Sequence, residues 1–511
     1  MDDELVLAVA EVIPPFNTDM LKNHVEREVG GAANFIDAVY RDRVRSFDGA
    51  ITYHGYRVLN PIERARYELD PKNRIGASIA TSELMLVEYK FRWNNEEFTP
   101  HYYLPYIRSA NTIVIDDKRY GVQKTITERI FARTSDTITV RVIRAPLRFE
   151  RKIQFVAEPV TDGPKLREYL YLTKLYLKHR DTTRTTILHY LIAKFGYVGA
   201  LRMLGLRPDD LVLTDEIVND TDEFIYYAAR KTKINTAAGC YLKVRRSEFE
   251  NPDVRRAAIN ILFTLTRFAR HDAKLLYDPS SAAWRLMLGW LLKGERGFKN
   301  DAGCLGQMDD HIASLDNFLD PISRHRCMSF GVNVVDVYEL LRYVYVNMDR
   351  IMVQSVQQNL YDKRISILDN LAVQLWVRNI NLQFYAHEKN AHRFVKNDIL
   401  QMLRSQARRV TQLYKSAVIS APAVYGDNWL PAIGIKKTRF NGNSVGKRLP
   451  NPSAPENKFH PSAAVVETLV AFAGKTPGQA GSINPHAQIT DTGGIVRPDY
   501  AADIERITPY L

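Results

Sequence analysis

LREYLYLTKLYLKHRDTTRTTILHYLIAKFGY, Leu166–Tyr197, is where the hydrophobic period of this chain changes. Leu166, Tyr169, Leu170, Thr173 and Leu177 recur at the spacing of one helix face, and a second helix is predicted from about Thr186 to Phe195. Upstream the pattern is different. Leu84 to Trp93, Thr112 to Ile115 and Thr137 to Ile143 are short runs of β-branched and aromatic residues, separated by the turn formers Asn94-Asn95, Asp116-Asp117 and Ser135-Asp136. They predict a small antiparallel sheet. Downstream, the chain reads as mainly helical to about residue 355, and Ile365, Leu368, Leu371 and Leu375 give a further helical stripe. Asn397 to Leu413 reads as a basic helix carrying Arg404, Arg408 and Arg409, with Lys415 following, and it is placed to rejoin the early sheet. From about Ser420 the chain is rich in Pro, Gly, Asn and Ser and reads as loops. The fold class expected is α+β, built from several modules, because 511 residues exceed what one growing core accommodates.

A formal net charge of +12 marks a surface that attracts polyanions, nucleic acid first and acidic lipid second, with ordinary solvated Lys and Arg as the alternative. The acidic start, Met1-Asp2-Asp3-Glu4, is unlike a secretory signal, and no apolar run approaches the ~20 residues of a membrane-spanning helix. A soluble, intracellular protein without a membrane partner is expected. Cys240, Cys304 and Cys327 stand far apart with no CxxC pair, which excludes a disulfide framework or zinc knuckle and predicts reduced thiols in or near cores.

GIKKTRFNGNSVGKRLP, Gly434–Pro450, combines Lys436, Lys437, Arg439, Lys447 and Arg448 with three glycines and two asparagines. Cations neutralise phosphates, and Gly and Asn allow the backbone to approach a ligand closely, so this is a candidate nucleic-acid loop. An exposed, solvated loop is the alternative. It is not a nucleotide-hydrolase phosphate loop, since GxxxxGK[ST] needs Gly at Asn441 and Ser or Thr at Arg448. Asp309, Asp310, His311, Asp316 and Asp320 suggest a metal site only weakly; a solvated face or helix caps account for them better. His387 and His392 are five apart, the wrong separation for two ligands on one helix face. No nucleophile or metallohydrolase signature is present.

KFHPSAAVVETLVAFAGKTPGQAGSINPHAQITDTGGIVRP, Lys458–Pro498, resembles the stretch of the RNA polymerase β subunit in which His-Pro-Ser/Thr precedes a Thr-Pro-Glu-Gly-Pro-Asn motif. His460, Pro461 and Ser462 match the first part, and Thr476, Pro477, Gly481, Ile483 and Asn484 the second. Gly478-Gln479-Ala480 departs from that motif and lacks its carboxylate. Lys436, Lys437, Arg439 and Gly442 stand where the family has its basic fork loop. YYLPYIRSANTIVIDDKRYGVQKTITERIFAR, Tyr102–Arg133, is similar to the early β-subunit strand and turn, and RTTILHYLIAKFGY, Arg184–Tyr197, to the helix opening its lobe. The order agrees along roughly residues 85 to 511. The β C-terminal half and the β′ NADFDGD triad have no counterpart, which resembles the split polymerases of giant phiKZ-like phages.

The resemblance implies an N-terminal β-like subunit of a DNA-directed RNA polymerase, a nucleotidyltransferase subunit without catalysis of its own. It implies a discontinuous protrusion-like module (1–145 and 365–430), a mainly helical lobe-like module (146–364) and a fork region near the active centre (431–511). Lys436, Lys437, Arg439, Lys447, Arg448, Arg404 and Arg408 are its candidate nucleic-acid contacts. His460, Pro461, Ser462, Thr476, Pro477, Gly481 and Asn484 form its motif near the active centre. Neither a catalytic residue nor a metal ligand is assigned to this chain, and no cofactor; Mg2+ would be held by a β′-like subunit. Expected partners are DNA, RNA, a β C-terminal-half-like subunit and β′-like subunits, with a specificity subunit left open. The expected location is the host cytoplasm, a phage nucleus-like compartment or the virion. The alternatives are a promoter-specificity or other nucleic-acid-binding accessory subunit and, second, a phage structural or packaging protein.

Overall fold

A computed structural model describes residues 32–44, 51–70, 84–93, 96–105, 112–115, 117–121, 124–133, 136–142, 146–175, 184–229, 239–268, 273–293, 300–316, 318–353, 359–367, 434–437, 462–466, 480–484, 487–490 and 493–497. The fold is α+β, and its contacts divide into two compact units. One joins Met1–Arg129 to Val356–Leu511; the other is the continuous span Ile130–Ser355. Among the described residues, no helix is long and apolar enough to cross a membrane.

The single sheet expected over Leu84 to Phe149 is divided: among the described residues the discontinuous unit holds three sheets, and Thr137–Arg141 belongs to a sheet of the other unit. Ile51–Val58, Leu84–Trp93, Glu96–Phe98 and His101–Pro105 form one antiparallel sheet, packed by the helix Ala32–Val44. Its core is aromatic. Tyr40 meets Tyr89 and Phe91 edge-on at 5.4 and 4.9 Å, and its hydroxyl shares a hydrogen bond of 2.7 Å with that of Tyr102, so the buried phenols keep polar partners. Thr112–Ile115 and Lys118–Gly121 form a separate two-stranded hairpin. At its turn Asp117 lies in the left-handed region (φ 62°), which Asp tolerates better than most residues; Asp116, the other residue of the expected turn pair, lies outside the described residues. The third sheet is described with the functional site.

In the span Ile130–Ser355, five strands pair antiparallel in the order Thr185–Thr186, Leu166–Lys174, Pro146–Ala157, Thr137–Arg141 and Phe131–Arg133. Leu166–Lys174 is therefore a strand, not the helix that its spacing suggested. Leu170, Tyr171, Leu172 and Thr173 are all buried, two on each side of the sheet. A strand covered on both faces loses its polar/apolar alternation, and its apolar run then mimics helical spacing. The following helix forms as expected, over Ile187–Met203: Thr186 caps it, its hydroxyl accepting from the His189 amide at 3.2 Å. Gly196, at φ 74°, interrupts it, and the Tyr197 amide is satisfied by the Pro279 carbonyl at 3.0 Å.

Leu211–Thr214, Phe224–Ala228 and Tyr241–Arg245 add a three-stranded sheet within a span read as mainly helical. The helices Pro252–Thr266, Ser281–Lys293, Asp301–Asp316, Pro321–Ser329 and Val337–Val353 complete the core. Buried Asn260 and half-buried Asp349 link its strands to its helices. Asn260, fully buried, accepts from the Tyr171 amide at 3.0 Å and donates to the Arg256 carbonyl at 2.8 Å. Asp349 accepts from Arg151, Arg256 and the Tyr171 hydroxyl at 2.9, 3.0 and 2.5 Å.

Replacing Asn260 by Ala strands the buried Tyr171 amide and should cost about 1–3 kcal/mol, read as a lower urea midpoint at unchanged slope; an unmoved midpoint would contradict the assignment. A second expectation concerns His189. It is fully buried, its Nε2 donating to the Trp284 carbonyl (2.9 Å) and its Nδ1 standing 3.1 Å from the Thr185 hydroxyl, a pair of partners that satisfies the neutral ring. Burial holds its pKa down at about 4, against an ordinary 6.5. Between those values the unfolded chain binds a proton that the folded chain refuses. Stability should thus fall as the pH drops through this window, by about 3 kcal/mol. In denaturant titrations at pH 7, 5 and 4, His189→Gln should flatten this dependence; parallel curves for the two proteins would count against it.

Candidate functional site

Four segments remote in sequence meet in one sheet of the discontinuous unit. Lys124–Glu128 lies inside it, antiparallel to Lys363–Ile367 on one side and parallel to Gly434–Lys437 on the other. Gly434–Lys437 pairs in turn with Ala480–Ser482, Ile435 standing opposite Gly481. The alternating KTITE and KRISI sequences suit strands, and Ile126 and Ile365, opposite one another, are both buried. Leu360, Val466, Ile483, Ala487 and Ile495 complete the same small core.

Hydrogen bonds fix the late segments to this sheet. The Ser462 hydroxyl, buried at the start of the short helix Ser462–Val466, accepts from the Leu360 amide at 2.9 Å. The Asn484 amide donates to the Val466 carbonyl at 2.8 Å. A turn closed by Thr490 and Gly494 returns the chain, with Gly493 at φ 81°, so that the Gly493 carbonyl accepts from Ile365 at 2.7 Å. Arg129 reaches two carbonyls, Lys363 at 3.3 Å and Ile495 at 3.2 Å. Its guanidinium thereby joins the strand entering the sheet, the strand returning to it and the last described segment.

Of the residues expected to form the site, Ser462, Gly481 and Asn484 are brought together here. Lys436 and Lys437 belong to a strand rather than to a loop, one strand away from Gly481. Arg404, Arg408, Arg409, Arg439, Lys447, Arg448, His460, Pro461, Thr476 and Pro477 lie outside the described residues, as do His387, His392 and the helix expected over Asn397–Leu413. Ile365 sits in a strand, not in the helical stripe assigned to it; Leu368, Leu371 and Leu375 also lie outside the description. Its alternation with Arg364 and Ser366 is the local signal, and a window extended to Leu375 masks it. Arg129 and Lys363 carry no such signal: their place depends on which strands pair.

The acidic cluster resolves into ion pairs and a cap. Asp309 pairs with Arg285 and Asp316 with Lys194, each at 2.7 Å, and Asp320 caps the helix Pro321–Ser329 through the Ser323 amide at 2.9 Å. The helix carrying Asp309 ends at Asp316, so Asp316 and Asp320 do not share its face. Among the described residues, no three His, Cys, Asp or Glu side chains converge as metal ligands. Cys240, Cys304 and Cys327 are buried free thiols, and burial pushes them up to about 12, 11 and 12, which keeps them protonated at neutral pH. The described side chains hold backbone in place; they do not assemble a proton-transfer or nucleophilic centre.

Residues 8–421 match a family model described as a non-virion RNA polymerase subunit. No curated protein matches the chain. The matched span includes the strands Lys124–Glu128 and Lys363–Ile367 and stops before Gly434, so the late strands lie beyond it.

The geometry makes Arg129 the joint of the site. Arg129→Met, which keeps the stem and removes the donors, should speed deuterium uptake at the Ile365 and Ile495 amides while leaving the buried Tyr171 amide protected; uptake equal to that of the unmodified chain would exclude the role.

Proposed function

The chain belongs to the non-virion RNA polymerase subunit family, and from that premise we propose that it is the N-terminal β-like part of the enzyme. In this reading the subunit positions DNA and the RNA:DNA hybrid and does no chemistry alone. Nucleotidyl transfer needs metal ions that stabilise the attacking and leaving oxygens, and Mg2+ would be held by carboxylates of a β′-like subunit. Residues 1–145 with 365–430 would serve as the protrusion-like part, 146–364 as the lobe-like part and 431–511 as the fork region. Lys436, Lys437, Arg439, Lys447 and Arg448 would neutralise phosphates near the fork, with Arg404 and Arg408 as further candidates. Contacts of that kind are independent of sequence and sensitive to salt.

One observation carries this reading beyond the family. The strand Gly434–Lys437, which leads into the basic segment, is paired with Ala480–Ser482 from the Thr476-to-Asn484 motif, Ile435 against Gly481. Two stretches that resemble the β subunit separately are thus joined edge to edge, which supports reading them as one fork region. The family's description as non-virion favours action inside the infected host over carriage in the particle. A promoter-specificity or accessory subunit satisfies the family description equally, but has no need of this pairing.

Two measurements test the proposal. The chains that co-purify with this one should include a β C-terminal-half-like chain and a β′-like chain carrying the metal-binding carboxylates; homo-oligomers alone would refute it. In the assembled polymerase, Lys436→Ala/Lys437→Ala/Arg439→Ala should slow elongation and make it fail at lower salt. Unchanged elongation and salt response would remove these residues from the role.

A further inference from the structure

We propose that a second surface, the exposed end of the sheet where Arg148, Lys174 and Arg184 line up in the unit Ile130–Ser355, binds the phosphodiester backbone of a nucleic acid. The inference uses the family membership but not the fork assignment, and concerns the other unit.

Strand register places these cations side by side. Arg148 stands directly opposite Lys174 on the neighbouring strand, and opposite Thr139 on the other side. Directly paired residues of an antiparallel sheet share a face, so two cations face the same way about 5 Å apart at Cβ. Arg184 precedes Thr185, whose partner is Thr173, and its guanidinium lies 3.0 Å from Glu150, two residues beyond Arg148 on the same face. Lys152 follows two residues later on that side, opposite the buried Leu170, where the face is covered. The exposed part of this face is therefore its end, the row of Arg148, Lys174 and Arg184, next to the buried pair Glu150 and Leu172.

Glu150 is the carboxylate that meets this row. It contacts Arg148 at 3.1 Å and Arg184 at 3.0 Å, yet its side chain is only 6% exposed, while that of Arg148 is 55% exposed. The negative charge is therefore recessed and shared between two guanidinium groups that remain accessible. Lys174 is exposed, and neither it nor Lys152 has an ion-pair partner among the described residues. Asp136, exposed at the sheet margin, stands one residue off the register of Thr137, the partner of Glu150, and Glu168, further along the strand Leu166–Lys174, is paired with Arg255 at 3.0 Å.

Opposed like charges destabilise a sheet pair, and one buried carboxylate offsets three cations only in part. A polyanion laid across the row relieves that repulsion and releases its own counterions. An acidic protein surface offers the same sign of charge, but a polymerase subunit already works against a continuous line of phosphates. The row runs across three adjacent strands, each about 4.8 Å from the next, so it presents charge along a line rather than at a point.

The test uses the full chain, a labelled 30-base-pair DNA duplex and, in parallel, a single-stranded RNA, with anisotropy titrations over a salt series. Removing one phosphate-binding cation should lower the steepness of log K against log salt by about 0.9 for duplex DNA and 0.7 for a single strand. Lys174→Ser should produce about one such step and Arg148→Ser/Lys174→Ser about two, for whichever nucleic acid uses the face. Arg342→Ser, an exposed cation on the helix Val337–Val353, should leave the slope unchanged. Lys174 is exposed, so the single variant keeps the test valid if the double variant unfolds. Slopes unchanged for both nucleic acids, or lowered as much by Arg342→Ser, would overturn the proposal. So would loss of co-purifying polymerase subunits with nucleic-acid slopes intact, which would make the face a protein interface.

Discussion

Antiparallel pairing of Lys124–Glu128 with Lys363–Ile367 is the constraint on which the rest of the molecule depends. Glu128 stands opposite Lys363, and the whole unit Ile130–Ser355 is strung between them. Closing so long an excursion costs chain entropy, but the cost grows only logarithmically with length. What is required is that the excursion begin and end at neighbouring points. Arg129, bonded to the Lys363 and Ile495 carbonyls, stands at that junction and ties entry, return and the late chain together.

In the inserted unit, buried polar side chains tie strands to helices. Asn260 and His189 are buried with matched donors and acceptors, and Asp349 gathers two arginines and a tyrosine. Such groups cost stability when unpaired and specify one packing when paired. The three thiols are equally inert, raised by burial and distant from any partner cysteine.

Much of this is legible in the chain itself. Short β-branched runs mark Leu84–Trp93 and Thr112–Ile115, Asp117 marks the turn between two strands, and Thr186 announces the helix it caps. These signals are local: a cap, a turn or an alternating run is written in adjacent residues. Leu166–Lys174 misleads for the opposite reason, because burial on both faces erases the alternation that identifies a strand. The late chain, whose Gly and Pro suggest loops, contains strands and a short helix where other segments supply the pairing.

The family and the net charge of +12 are determined by the sequence alone, since a family match and a count of charges need no coordinates. Which segments lie together is not. The parallel pairing of Lys124–Glu128 with Gly434–Lys437, the pairing of Ile435 with Gly481, and the opposition of Arg148 and Lys174 are settled by strand register. A register shift of one residue sends every side chain to the other face, and the choice among registers is made by the whole buried surface rather than by the residues that pair.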